Sequence, residues 1–441
     1  MDHPPLVGWL LWLATAVGGK TVLAVRSMPI AMTLATALFT YLLARDVYGP
    51  RAGAWAVLLL AATPVFSVGL TAAAPDAPLA AVWTAFAWLL QRALADDRDG
   101  TWPRLGRPAV LGLLVGLAFL AKYTGALLAV AAIAMLAGRR GHPWLKRPGT
   151  WLGAALALAC ALPVFAWNAQ HGWAGALHRL VWTQAGAGLG LRNASALLGG
   201  QLLYVGPFAL ALLALAAVHA WKERISRPGA FVLVAASLPT LAFTYALALW
   251  SDVAEPHWPA VGYLTLFPAA GALADEAQGV ARRLARWTLG FGALTFVVLH
   301  VVVLTPALPA LVPRQSYEPK YDLGNELRGW PEAAGALRRI DNRGRIVVGA
   351  HYTVCAQLAF ALARPGDPEV RCASKEIDDF DIWHGPFTLP REGALFVTDN
   401  RFDDDPARVF PNGRSEGPPV VLEIERGGRW VRRFEIFKVR P

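Results

Sequence analysis

The chain has 441 residues, 55% of them hydrophobic and only 16% charged, with a mean hydropathy of +0.40. Soluble domains are nearer a quarter charged, so this composition excludes an ordinary soluble enzyme and describes a polytopic membrane protein. Net charge is +10, but no basic stripe with interleaved aromatics accompanies it, which argues against a nucleic-acid partner and for Lys/Arg-rich cytoplasmic loops.

The chain opens MDHPPLVGWLLWL. Asp2-His3 is the opposite of the basic start of a secretory signal. Pro4 and Pro5 suit a helix's first turn, where a missing N–H costs nothing. Apolar segments then fall at 24–44, 54–70, 79–94, 109–121, 124–137, 149–167, 197–218, 230–249, 260–274 and 287–306. Together they predict about ten membrane helices, although several are shorter than the ~20 residues of a full span. The 18 tryptophans fit interfacial belts and packing between helices.

Charge divides the loops into two sets. One holds Arg45 and Arg51; Arg92, Arg98, Arg104 and Arg107; Arg139, Arg140, Lys146 and Arg147; Lys222, Arg224 and Arg227; and Arg282, Arg283 and Arg286. The alternate set holds only Lys122, Arg179 and Arg192. The positive-inside rule places the first set in the cytoplasm. Between Arg107 and Arg139 the apolar run is too long for one span and too short for two. Two short helices meeting at Lys122 keep every basic loop inside. They also leave Lys122 at a bend facing an outer cavity, where charge at membrane depth belongs. Asp2, His3, Asp76, Lys122, Glu255 and His257 then share the outer face.

From about residue 313 proline, glycine and charge rise, and the pattern becomes that of an α/β unit. GWPEAAGALRRI reads as a helix, RIVVGAHY as a strand, TVCAQLAFALA as a helix and GALFVTDN as a strand. VVLEIERGGRWVRRFEIFKV reads as a hairpin turning at Gly427-Gly428. The expected domains are therefore 1–312, membrane-embedded, and 313–441, outside the cytoplasm. Cys160 lies in an apolar span. Cys355 and Cys372 have a disulfide open to them if their domain is extracytoplasmic, which spacing alone does not decide.

Three stretches carry candidate chemistry. TAAAPDAPLAAVW puts Asp76 at a helix start between Pro75 and Pro78. It is either a capping aspartate or a carboxylate that orients or deprotonates an acceptor. FLAKYTGALL carries Lys122, which is too far from a helix end to snorkel and suits a leaving phosphate. AEPHWPAVGYLTLFP carries Glu255, His257 and Trp258, an interfacial cap or a polar cluster with a ring for a sugar or isoprenoid. Glu255 and His257 are too few to argue for a metal, so no cofactor is expected. His171 and His178, i and i+7 in WNAQHGWAGALHRL, read as interfacial residues of one surface helix. Asn193-Ala194-Ser195 is a glycosylation-type triplet of a kind that arises by chance.

The segments DHPPLVGWL, TAAAPDAPLA, GLAFLAKYTGALL and EPHWPAVGYL, in that order, resemble bacterial membrane glycosyltransferases of the protein O-mannosyltransferase and lipid A aminoarabinose transferase type, with the GT-C fold. AHYTVCAQLAFALA and DDFDIWHG are similar to that group's outer domain. The resemblance implies an inverting transfer of sugar from a polyprenyl phosphate to a lipid, glycan or protein acceptor on the outer face of the cytoplasmic membrane. By position it implies catalytic roles for Asp2 and Asp76, and donor-phosphate or substrate binding by His3, Lys122, Glu255, His257 and Trp258. That group's usual first-loop acidic motif, and the helix before it, precede the DHPPL-like segment. Neither occurs in this sequence, so the expectation is poor transfer unless an upstream extension supplies them. Two other readings stay open: a transporter or flippase for a polyprenyl-linked or other anionic lipid, and a catalytically inactive homologue.

Overall fold

The computed structural model describes residues 3–96, 105–138, 141–276, 278–340, 345–374 and 378–441. Asp2 and the loop cations Arg98, Arg104, Arg139 and Arg140 lie outside these residues. The chain divides into two compact units, 1–296 and 297–441; the sequence reading drew this division at 312/313.

The first unit is helical. Its opening helices are α1 (Leu6–Gly18), α2 (Val22–Tyr48), α3 (Pro50–Ala62), α4 (Pro64–Ser67), α5 (Asp76–Asp96), α6 (Gly106–Ala121) and α7 (Leu128–Ala137). They are followed by α8 (Pro148–Gln170), α9 (Ala174–Leu180), α10 (Arg192–Tyr204), α11 (Pro207–Glu223), α12 (Pro228–Trp250), α13 (Ala260–Leu264), α14 (Phe267–Asp275) and α15 (Val280–Leu304). Proline opens α3, α8, α11 and α12, the position where its missing N–H and fixed φ suit a helix. Thr21 caps α2 by accepting from the Ala24 amide at 3.1 Å.

Among the described residues four helices, α2, α8, α12 and α15, are long and apolar enough to cross a membrane. The number rises to six if each of two bent pairs is one span. One pair bends by 81° where Thr63 meets Pro64, the other by 103° before Pro207. Each bent pair corresponds to one expected run, 54–70 and 197–218, while the expected runs at 109–121, 124–137 and 260–274 form apolar helices too short to be counted with these.

Helix α5 is the centre of the unit: Leu79, Trp83, Phe86 and Leu90 on it are fully buried. Helices α6 and α8 touch backbone to backbone. A side chain on Gly112 would run into the backbone of Gly153, and one on Gly116 would meet Cys160. This is the small-residue contact by which membrane helices gain close van der Waals packing.

The second unit, which begins within α15, carries a mixed sheet. Its strands are β1 (Ile346–Gly349), β2 (Val370–Cys372), β3 (Ala394–Asp399), β4 (Arg414–Ser415), β5 (Val420–Arg426) and β6 (Arg429–Arg440). The order is β2-β1-β3-β6-β4, with β5 paired to β6. β2-β1-β3 are parallel, and β6 runs antiparallel to β3, β4 and β5. Every residue of β3 is buried, as expected of a strand covered on both faces. The expected helices occur at Trp330–Arg339 and Tyr352–Ala361. The expected hairpin turns at Gly427 and Gly428, both at positive φ, which the two-residue turn requires. Cys355 and Cys372 form a disulfide between the Tyr352–Ala361 helix and the end of β2. Inside the hairpin Arg432 is buried, bonded to Asp399, and stacked 4.1 Å from the Trp330 ring.

Candidate functional site

The site is built on three breaks in regular structure. α6 ends at Ala121, and Lys122 takes an extended conformation (φ −156°, ψ 143°) before a short turn of helix over Tyr123–Leu127. The two short helices expected to meet at Lys122 are thus present. Gly125 permits this break, because a side chain there would collide with the Ala118 carbonyl. Asp76 is the first residue of α5, where the helix dipole favours a negative charge. His257 lies in the loop between α12 and α13.

These three residues meet. Lys122 Nζ donates to Asp76 Oδ1 at 2.9 Å and lies 3.2 Å from Oδ2. His257 Nε2 is 3.9 Å from Asp76 Oδ2. Lys122 is only 8% exposed, so its aliphatic stem does not reach toward solvent as a snorkelling lysine's does. Burial pushes the His257 imidazole below its ordinary range, and the Lys122 charge adds to this; Asp76 and Glu255 pull the other way. At neutral pH the His257 imidazole is therefore neutral. One nitrogen of that imidazole is free to accept a proton while the carboxylate remains clamped by the lysine.

Of the remaining expected residues, Glu255 and Trp258 flank His257 in its loop. Glu255 is exposed and acts on His257 through its charge. Trp258 is half-buried, with its amide bonded to the Glu255 carbonyl at 3.0 Å. His3 lies with Arg179: the Arg179 Nη2 is 3.2 Å from His3 Nε2. A guanidinium only donates, so Nε2 of His3 is the acceptor. Asp2 lies outside the described residues.

Sequence reasoning missed the contact of His3 with Arg179, one of three cations in the cation-poor loops. It also missed the groups that hold the His257 loop. Asn193 Nδ2 donates to the Ser251 and Asp252 carbonyls at 2.7 and 2.9 Å, so the glycosylation-type triplet has a structural use. Gln201 Nε2 donates to the Pro256 carbonyl at 2.8 Å. His171 and His178 do not share a helix: His171 caps α8 and His178 lies on α9, with Trp173 at φ 61° between them.

Among the described residues no group of three or more His, Cys, Asp or Glu is placed to hold a metal ion. A groove of about 720 Å³ in the second unit is lined by Ser374, Asp381, Phe387 and Phe410 among others, and includes none of the residues above.

Residues 2–167 match the family model for dolichyl-phosphate-mannose-protein mannosyltransferase, a stretch that contains both Asp76 and Lys122. Over 99% of its length the chain superposes on the crystal structure of ArnT from Cupriavidus metallidurans bound to undecaprenyl phosphate. That match has a TM-score of 0.63 and 14% identity, and covers 88% of the ArnT chain. The apo state of the same protein matches with a TM-score of 0.63, 16% identity and 87% coverage. No curated protein sequence matches the chain. The chain thus shares the fold of the ArnT structures; the segments DHPPLVGWL, TAAAPDAPLA and GLAFLAKYTGALL lie within the stretch matched by the family model.

Proposed function

We propose that the chain is a membrane glycosyltransferase that takes a sugar from a polyprenyl-phosphate donor and passes it, with inversion, to a lipid, glycan or protein acceptor. The observation that carries this reading is the Lys122–Asp76–His257 cluster at the break between α6 and its following turn. A sugar phosphate leaves as an anion, and a buried ammonium positioned before the reaction stabilises that charge at no cost in reorganisation. Asp76, held by Lys122, orients the acceptor. His257, neutral near pH 7, takes the acceptor's proton, a general-base role that adds about 10²–10⁴-fold. Arg179, beside His3, supplies a second cation for the donor. The bound undecaprenyl phosphate in the ArnT structure of the same fold supports this donor class.

The reading places the site on the outer face of the cytoplasmic membrane and residues 313–441 outside the cytoplasm. Supporting it are the loop-charge asymmetry and the Cys355–Cys372 disulfide, since such bonds persist in oxidising compartments. A lipid carrier would share the cation and the broken helices, but it would leave the sugar–phosphate bond intact. The experiment is to incubate the 441-residue chain in lipid nanodiscs with a polyprenyl phosphate carrying a radiolabelled sugar, together with a membrane extract as acceptor. Release of free polyprenyl phosphate with label on the acceptor supports the transferase. Label that stays on the donor contradicts it.

A further inference from the structure

The loop that carries His257 is held from one side by polar side chains on and before α10. Gln201 is 2% exposed, and its Nε2 donates to the Pro256 carbonyl, the residue directly before His257, at 2.8 Å. The Cβ position of Gly200 lies 2.7 Å from Pro256 Cβ, so α10 sits flush on the loop. Asn193, one end of the same helix, donates to the carbonyls of Ser251 and Asp252. Gln184 Oε1 accepts from Ser251 Oγ at 2.9 Å and from the Asp252 amide at 3.1 Å. Beyond these, the Gly188 and Gly190 amides donate to the Trp250 and Leu249 carbonyls, both at 2.9 Å.

Such bonds are expensive to omit. The Ser251, Asp252 and Pro256 carbonyls and the Asp252 amide, in a loop with no regular structure, need partners, and a buried amide side chain needs its own. A helix α10 serving only to pack would use apolar residues here. Instead, two amide side chains eight positions apart grip the two ends of one loop, and the residue at the end of that loop is the one that faces Asp76. We infer that Gln201 and Asn193 are positioning residues: they fix the 251–256 segment so that the His257 imidazole is held against Asp76. The inference rests on the transferase reading for its effect on turnover, but not for its effect on His257 itself.

The test uses the full chain in nanodiscs with Gln201→Met, which keeps the volume of the side chain and removes the donor, and with Asn193→Ala. Two quantities are read. The first is transfer kinetics: kcat is expected to fall on the order of 10²-fold, as displaced catalytic groups do, while KM for the polyprenyl-phosphate donor changes little. The second is the titration of His257, followed by NMR of ring-labelled histidine and assigned with His257→Gln. The groups facing His257 are Asp76 from α5, Lys122 from the α6 break and Glu255 from its own loop. None of them changes in these variants, so release of the loop shows as a rise of the His257 midpoint toward its ordinary value. A raised midpoint together with the kcat loss supports the inference. If the midpoint matches wild type in both variants, the inference is overturned, whatever happens to turnover. If the midpoint rises while the wild-type chain transfers no sugar, the positioning stands and the transferase reading fails.

Discussion

Lys122 Nζ lies 2.9 Å from Asp76 Oδ1, across 46 residues of sequence and from a lysine that is almost fully buried. The pair joins the start of the central helix α5 to the break after α6. Removing one partner strands the other's charge, which costs more than the bond itself contributes. Asp76→Ala is therefore expected to lower the thermal midpoint of the chain in detergent. Adding Lys122→Met should restore part of the loss, with a coupling on the order of 1–3 kcal/mol. Strictly additive single variants would show that the contact does not form.

The His257 midpoint bears on stability in a defined direction. Its folded-state value is depressed by burial and by Lys122, below the ordinary value of 6.5. As pH falls through about 6.5, the unfolded chain takes up a proton that the folded chain does not yet bind. Stability is thus full above about pH 7 and declines below the ordinary histidine value, by at most about 1.4 kcal/mol per pH unit. Urea unfolding of wild type and His257→Gln, compared from about pH 8 to 5, should show that only wild type carries this component. Equal slopes would place His257 in a solvated setting.

The disulfide gives a thiol count. Of three cysteines, only Cys160 is free. Alkylation of the denatured protein should modify one cysteine before reduction and three after. Cys355→Ser should cost about 3 kcal/mol in the second unit, the size expected for opening a loop near this length. Three reactive cysteines without reduction in protein taken from intact membranes would contradict the oxidised state.

Orientation is tested by fusions. A reporter active only outside the cytoplasm should report when joined after Pro441 and stay silent when joined after Arg224. The reverse pattern would invert the loop-charge reading.

How far the sequence could be read depended on the kind of signal. The Lys122 break was legible because the apolar run on either side has a length that fits neither one span nor two. Asp76 was legible from the prolines beside it, and the β5–β6 hairpin from its paired glycines. The span count was less so, since the expected runs at 109–121, 124–137 and 260–274 form helices shorter than a full span. The His3–Arg179 contact, which joins segments 176 residues apart, was not legible. The buried arginines of the second unit were hidden for a related reason. Arg432 looks like one more charge in a basic strand until Asp399 and Trp330 come to meet it.

The central claim, that Lys122 holds the donor's leaving phosphate, is tested most directly by turnover of Lys122 variants in nanodiscs with a polyprenyl-phosphate sugar. Losing such a charge-assisted contact is worth about 2–4 kcal/mol, or about 10²–10³ in rate. Lys122→Ala should lose that much at normal expression, and Lys122→Arg, which keeps the charge, should retain a part. Near-wild-type turnover of the alanine variant would contradict the account and leave Lys122 as a structural partner of Asp76.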